Sequence, residues 1–185
     1  MTGFSIDVEL QDTAARMALE TLISRMERRT PFLAAIGEHV VGTTKDRFRS
    51  QTNPSGAPWT PHAASTIRNR IRNKQTPLTI LSSNTKRKFG STLRGNVSYT
   101  ASETEARVGS ELPYAAIHQL GGTIDKPAGN RWVAGRRFAK KSENPEGRAV
   151  AIPAHRITIP ARPFLGLSSG DEAAILEEAE RWLRG

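Results

Sequence analysis

The chain has 185 residues, 27 Lys and Arg against 18 Asp and Glu, and no cysteine. That length suits one domain with its own core, and the missing cysteines exclude disulfides and thiolate metal sites, in keeping with a reducing compartment. The 37% apolar content approaches the globular norm of roughly 45–50% once the 15 glycines are counted, so disorder is not implied, while few aromatics and 11 prolines predict a modest core with long loops.

No run approaches the ~18 apolar residues of a membrane span, and Met1–Asp7 carry neither the basic nor the apolar region of a signal peptide. Phe4, Ile6, Val8 and Leu10 alternate with Ser5, Asp7 and Glu9, the period of a half-buried strand. Asp12 is placed to cap a helix running to about Arg28, with Ala15, Leu19, Leu22, Ile23 and Met26 along one face. Thr30-Pro31 starts a second helix, Thr at the cap and Pro at the first helical position. This helix runs to about Ser50 and buries Leu33, Ile36, Val40 and Phe48; Lys45, Arg47 and Arg49 suit the negative end of its dipole. So short a bend allows either a helical hairpin or one broken helix.

Gln51 to His62 is a loop, with turn chemistry at Asn53-Pro54-Ser55-Gly56. Trp59 within it is either an anchor onto the core or a contact on a neighbouring subunit. A short helix is expected over 63–74, fanning Arg68, Arg70, Arg72 and Lys74 around its surface. Ile80, Leu81 and Leu93 are apolar anchors, and Lys86, Arg87 and Lys88 form a basic tip between them that faces DNA or solvent. Val97–Ala101 and Ala106–Gly109 form a hairpin about Ser102–Glu105. The three- and four-residue spacing of Tyr114, Ile117 and His118 fits a helical turn, and an extended path fits as well.

Residues 125–147 are rich in Gly, Pro and charge. Arg131, Arg136, Arg137, Lys140 and Lys141 make this the most basic stretch, and it reads as a projecting arm or extended hairpin ordered by partners. Val150–Ile152 and Ile157–Ile159 are short strands. Ser169 and Glu172 match a capping box that opens a last helix to Leu183. Ala173, Leu176, Ala179 and Leu183 give it a partly apolar face, Ile175 and Trp182 adjoin, and Glu177, Glu178 and Glu180 crowd the other side. From Thr60 to Pro160 there are 17 Lys/Arg and 6 Asp/Glu, so the positive charge is concentrated in the middle; it implies either a nearby polyanion, most simply DNA, or a solvated surface.

Nothing in this pattern is catalytic. His39, His62, His118 and His155 lack metal-ligand spacing, the acids of the basic middle are scattered, and no Gly-x-Ser-x-Gly occurs. His118, beside Tyr114 and Gln119, reads as a hydrogen-bonded structural histidine. Arg162, held between Pro160 and Pro163, makes either a salt bridge within the domain or a ligand contact, and Phe164 and Leu165 dock the start of the last helix against the sheet. No catalytic residue, cofactor or metal ligand is expected.

Pro54, Gly56 and Trp59, then Tyr114, Ala115, His118, Gln119, Gly121 and Gly122, then Pro160-Ala161-Arg162-Pro163-Phe164-Leu165 resemble, in order and spacing, the phage virion morphogenesis family. One departure is the stretch Leu81 to Leu93, where the family's compact Leu-x-x-(Ser/Thr)-Gly-x-Leu turn is lengthened. The resemblance implies a non-enzymatic virion protein of the tail-completion or neck type, acting where a filled capsid joins its tail. It further implies a homo-oligomeric ring, a hexamer by analogy, meeting other neck, tail-tube or connector proteins, in the virion and, during assembly, in the host cytoplasm. The expected fold is a single α+β domain over 1–185: an N-terminal strand and helical hairpin on a small antiparallel sheet, a C-terminal helix, and an arm at 125–148. The basic residues are then candidate contacts to DNA or to neighbouring subunits, without sequence readout or membrane contact. Trp59, Tyr114, His118, Gln119, Arg162 and Phe164 are candidate structural or interface anchors. The competing reading is a free basic nucleic-acid-binding protein.

Overall fold

A computed structural model describes residues 12–81, 92–135 and 137–184. The strand expected at 4–10, the cluster Lys86, Arg87 and Lys88, and Arg136 lie outside the described residues. The fold is α+β. In chain order it comprises α1 (Thr13–Glu27), α2 (Thr30–Ser50), α3 (Ala64–Arg72), a 3-10 turn at Arg94–Asn96, β1 (Val97–Ala101), β2 (Ala106–Ser110) and α4 (Ala115–Leu120). Then come β3 (Gly122–Lys126), β4 (Gly129–Ala134), β5 (Arg137–Phe138), β6 (Arg148–Ile152), β7 (His155–Ile159) and α5 (Ser169–Arg184).

The core is built around α2. Gly37, Val40, Val41, Thr44, Arg47 and Phe48 are its buried residues, spaced three and four apart on one stripe. Leu33 and Ile36, expected on that stripe, are only half-buried. The β1–β2 hairpin lies across the helix so closely that a Cβ on Gly37 would stand 2.5 Å from Tyr99 Cδ2. Val41, Phe48, Trp59, Leu93, Val97, Ala115 and Phe164 form the apolar cluster, with Ile80 and Leu81 packed against it. Phe48 is flanked by the rings of Trp59 and Phe164, each 5.4 Å away between centroids.

Both helix starts differ from expectation in the same way. Residue 29, not Thr30, is the cap of α2, and it has no capping side chain of its own. Instead Glu103, at the β1–β2 turn, accepts hydrogen bonds from Arg29 N (2.6 Å), Thr30 N (3.2 Å) and Thr30 Oγ1 (2.5 Å). An anion at the positive end of the helix dipole does the cap's work from across the fold. For α5 the reciprocal pair is Ser168 and Asp171 rather than Ser169 and Glu172: Asp171 N donates to Ser168 Oγ (3.1 Å) and Ser168 N to Asp171 Oδ2 (2.8 Å). The face of α5 turned to the body is Asp171, Ala174, Ile175, Ala179 and Trp182, while Leu176 and Leu183 point outward. Trp182 stacks on Phe32 of α2 at 5.3 Å.

The remaining strands make one long antiparallel ribbon. Gly122–Lys126 pair with Ile159–His155, and Gly129–Val133 pair with Ile152–Arg148, in a single unbroken register. Between the two ladders Pro127-Ala128 lies opposite Pro153-Ala154, and proline has no N–H to give. β5 adds a short third strand near the tip. At ~3.3 Å per residue the ribbon is about 40 Å long. No described residue between 116 and 161 is buried.

Candidate functional site

Three blocks distant in the chain meet at the foot of the ribbon. α4 presents Gln119, whose Oε1 accepts from Phe164 N (2.9 Å) and Leu165 N (3.0 Å) while its Nε2 donates to Leu165 O (2.9 Å). The side chain thus pairs the 164–165 backbone as a neighbouring strand would. Gly121 follows at φ 72°, where a Cβ would stand 2.7 Å from Ala161 N. Only glycine combines that conformation with that approach. Arg162 N donates to His118 O (2.8 Å), and Trp59 Nε1 donates to Pro163 O (2.8 Å). Gly166, at φ 139°, lies so near that a Cβ would be 2.9 Å from Pro54 Cγ. Trp59 is therefore an anchor in the core, and the two blocks 114–122 and 160–166 are the two sides of one rigid shoulder from which β3 leaves and to which β7 returns.

Among the described residues Arg162 makes no salt bridge, the first of its two expected roles. It is buried, and its guanidinium donates to Thr60 O (Nε, 2.8 Å) and Pro61 O (Nη2, 3.1 Å), clamping the 51–62 loop to the shoulder. Burial, then the neighbouring Arg70 charge, pull it below the ordinary arginine value. The same charges act on the histidines. Burial, then Arg70 and Arg162, lower His62, and burial, then Arg162, lower His118, which favours neutral imidazoles at pH 7. His118, expected as a hydrogen-bonded structural histidine, lies edge-on to Tyr114 at 6.0 Å, and its Nδ1 is buried without a hydrogen-bond partner among the described residues. Phe164 is fully buried, 5.4 Å from the Phe48 ring of α2, in the cluster that also holds Val97 of β1.

A second constellation was invisible in the motifs. Arg47 is buried in α2, where it donates to Phe164 O (3.1 Å), Gly166 O (2.7 Å) and Asp171 Oδ2 (2.5 Å). Asp171 Oδ2 also accepts from Ser168 Oγ (2.7 Å), and Oδ1 lies 3.1 Å from His39 Nε2. Burial pushes the Asp171 carboxyl up, but the Ser168 hydrogen bonds and the Arg47 charge outweigh it and hold the group below its ordinary value. The available signal was spacing: Arg47 falls on the stripe of Val40 and Thr44, so it faces inward, not toward the dipole end and water.

The candidate basic contacts divide between two elements. On α3, Arg68 and Arg72 are exposed, as is Lys74 just beyond it, whereas Arg70 turns inward and shares Thr79 O with His62 (2.9 and 3.2 Å). On the ribbon, Arg131, Lys140 and Lys141 are exposed; Lys140 pairs with Glu143 (3.0 Å), and Lys141 lies 5.4 Å above the Trp132 ring. Among the described residues no group of three or more His, Asp or Glu is gathered as a metal site would need, and no helix is long and apolar enough to cross a membrane. The arrangement holds an arm stiffly at its base and carries cations along it.

The family model of the phage virion morphogenesis proteins matches residues 10–184. The chain belongs to that family. It is also similar to the Mu-like prophage FluMu G protein 2 of Haemophilus influenzae (strain ATCC 51907 / DSM 11121 / KW20 / Rd), 38% identical over 92 residues. That stretch is 50% of this chain and 47% of the relative, so the match spans about half the length of each. No solved structure matches the chain. Membership in the virion morphogenesis family assigns the protein a role in building phage particles, and the residues that carried the resemblance are those of the shoulder.

Proposed function

We propose that the protein completes the tail or connects it to the filled capsid, as a non-catalytic ring of identical subunits, a hexamer by analogy, in the virion neck or at the tail end. The observation that carries this reading is the ribbon: two ladders spanning about 40 Å, rooted in a rigid shoulder, with no buried residue among those described. An isolated two-stranded ribbon is marginal in water, so an arm of this length is suited to docking on neighbours. Exposed cations on the ribbon and α3 suit a lining near packaged DNA, where phosphate contacts hold the duplex without reading its sequence.

Deleting the gene from its phage tests this. The expected result is filled capsids and unattached tails accumulating side by side, with the wild-type protein found in finished particles by mass spectrometry. The same exposed cations support the competing reading of a free nucleic-acid binder. That reading requires the protein to be absent from particles and to bind DNA as a monomer or dimer with a steep salt dependence.

A further inference from the structure

We propose that the ribbon of one copy packs onto the α1–α5 helical face of a second copy of this chain, charge against charge and apolar against apolar. The inference deepens the ring reading above and rests on it.

Each surface lacks what the other has. α1 has no buried residue, yet it carries Met17 (66% exposed), Leu19, Ile23 and Met26 outward. On α5, Leu176 (67%) and Leu183 are exposed as well, and Leu183 lies next to α1. The tie between these helices is thin: Arg25 Nη1 reaches Trp182 O (3.3 Å) and Leu183 O (3.4 Å), with an apolar hollow between Met17, Leu22 and Leu183. Among the described residues nothing covers the apolar stripe of the amphipathic helix α1, which leaves it open to a second copy. The ribbon offers the cover. Ile124 and Ile157 are paired directly across it, Phe138 is 70% exposed near its tip, and among the described residues most of both edges has no neighbouring strand.

Charge selects the occupant. Residues 122–159 hold 8 Lys/Arg and 3 Asp/Glu, while residues 172–184, beyond the buried Asp171, hold 4 Glu and 2 Arg. A basic ribbon and an acidic helix from the same polypeptide are complementary, and two ribbons or two helical faces are not. The area is sufficient. A standard interface needs about 800 Å² from each partner, and each surface is long enough to supply it: a ribbon about 40 Å long against helices of 15 and 16 residues. Because the two patches are different surfaces, the contact is head-to-tail, the kind that closes into a ring when the rotation allows.

The native chain has no cysteine, so a directed cross-link is clean. Full-length Ile23→Cys and Phe138→Cys proteins, both substituted at exposed sites, are mixed and treated with a short bismaleimide, alongside a double variant and sedimentation of the untreated protein. The expected result is a cross-linked dimer containing one of each single variant, and a ladder of multimers from the double variant. A protein that sediments as an oligomer but gives no mixed product overturns the docking and leaves the ring reading standing. A link confined within one chain, or to a different protein, overturns the docking too, and a monomer overturns both. As a second measure, Leu19→Asp with Met26→Asp should weaken self-association about tenfold or more at unchanged thermal stability; unchanged association would overturn the proposal.

Discussion

Arg47 and Asp171 join three parts of the protein through four atoms. The pair ties α2 to the start of α5, and Arg47 also holds the 164–166 backbone on which the ribbon's shoulder rests. Both side chains are buried, so removing one leaves an uncompensated charge in a poorly hydrated place. Asp171→Ala should therefore lower unfolding free energy by about 3–5 kcal/mol in urea titration, and replacing both partners by Met and Leu should cost less than either single loss. The acid limb of stability follows from the same carboxylate. Its folded value is depressed, so its contribution is complete above the unfolded value of about 3.9 and is lost as pH falls through the lower folded value. The wild-type protein should lose thermal stability steeply below about pH 4, and Asp171→Asn, already weaker at pH 7, should show a flatter acid limb.

At the scale of elements, the cap of α2 is supplied by a residue more than seventy positions away in the sequence. Glu103 accepts from two backbone amides of the helix start, and the Thr30 hydroxyl bond, foremost, keeps its carboxyl below the ordinary value. Glu103→Ala should speed hydrogen exchange in the first turn of α2 and leave the turn around Val41 protected; equal exchange in both variants would remove the cap from the account. The ribbon behaves in the opposite way. Only its inward-facing amides are paired in the ladders, and no described side chain along it is buried, so its opening exposes little apolar surface. In the isolated protein, amides of 122–159 should exchange far faster than those of α2 and should become protected on assembly.

For the whole molecule, the question is what so much surface is for. Among the described residues eight hydrophobic side chains form the buried core, a thin one for a chain of this length. The large remaining surface is divided into an apolar helical side and a basic arm. Reversing charge on the arm, with Arg131→Glu and Arg148→Glu, should lower phage titre by an order of magnitude or more while leaving the melting temperature of the purified protein unchanged, because both residues are exposed. Equal titre would separate the arm's charge from assembly.

Local signals were enough for much of this protein. Period and caps placed α1, α2, α3, the β1–β2 hairpin and α5 within a few residues, because each is set by side chains near in sequence. The blocks around Gln119 and Arg162 were legible as motifs, and family membership with them. What they do was not, since Gln119 acts by pairing the backbone 45 and 46 residues away and Arg162 by clamping carbonyls about a hundred residues earlier. The same reason hid Glu103 as the cap of α2 and turned Arg47 from a dipole charge into a buried partner of Asp171. Composition and spacing determine which residues can bond and which segments coil or extend. Which donor meets which acceptor across a hundred residues is decided only when the chain has closed on itself, because a buried polar group takes whatever partner the packing brings within about 3 Å.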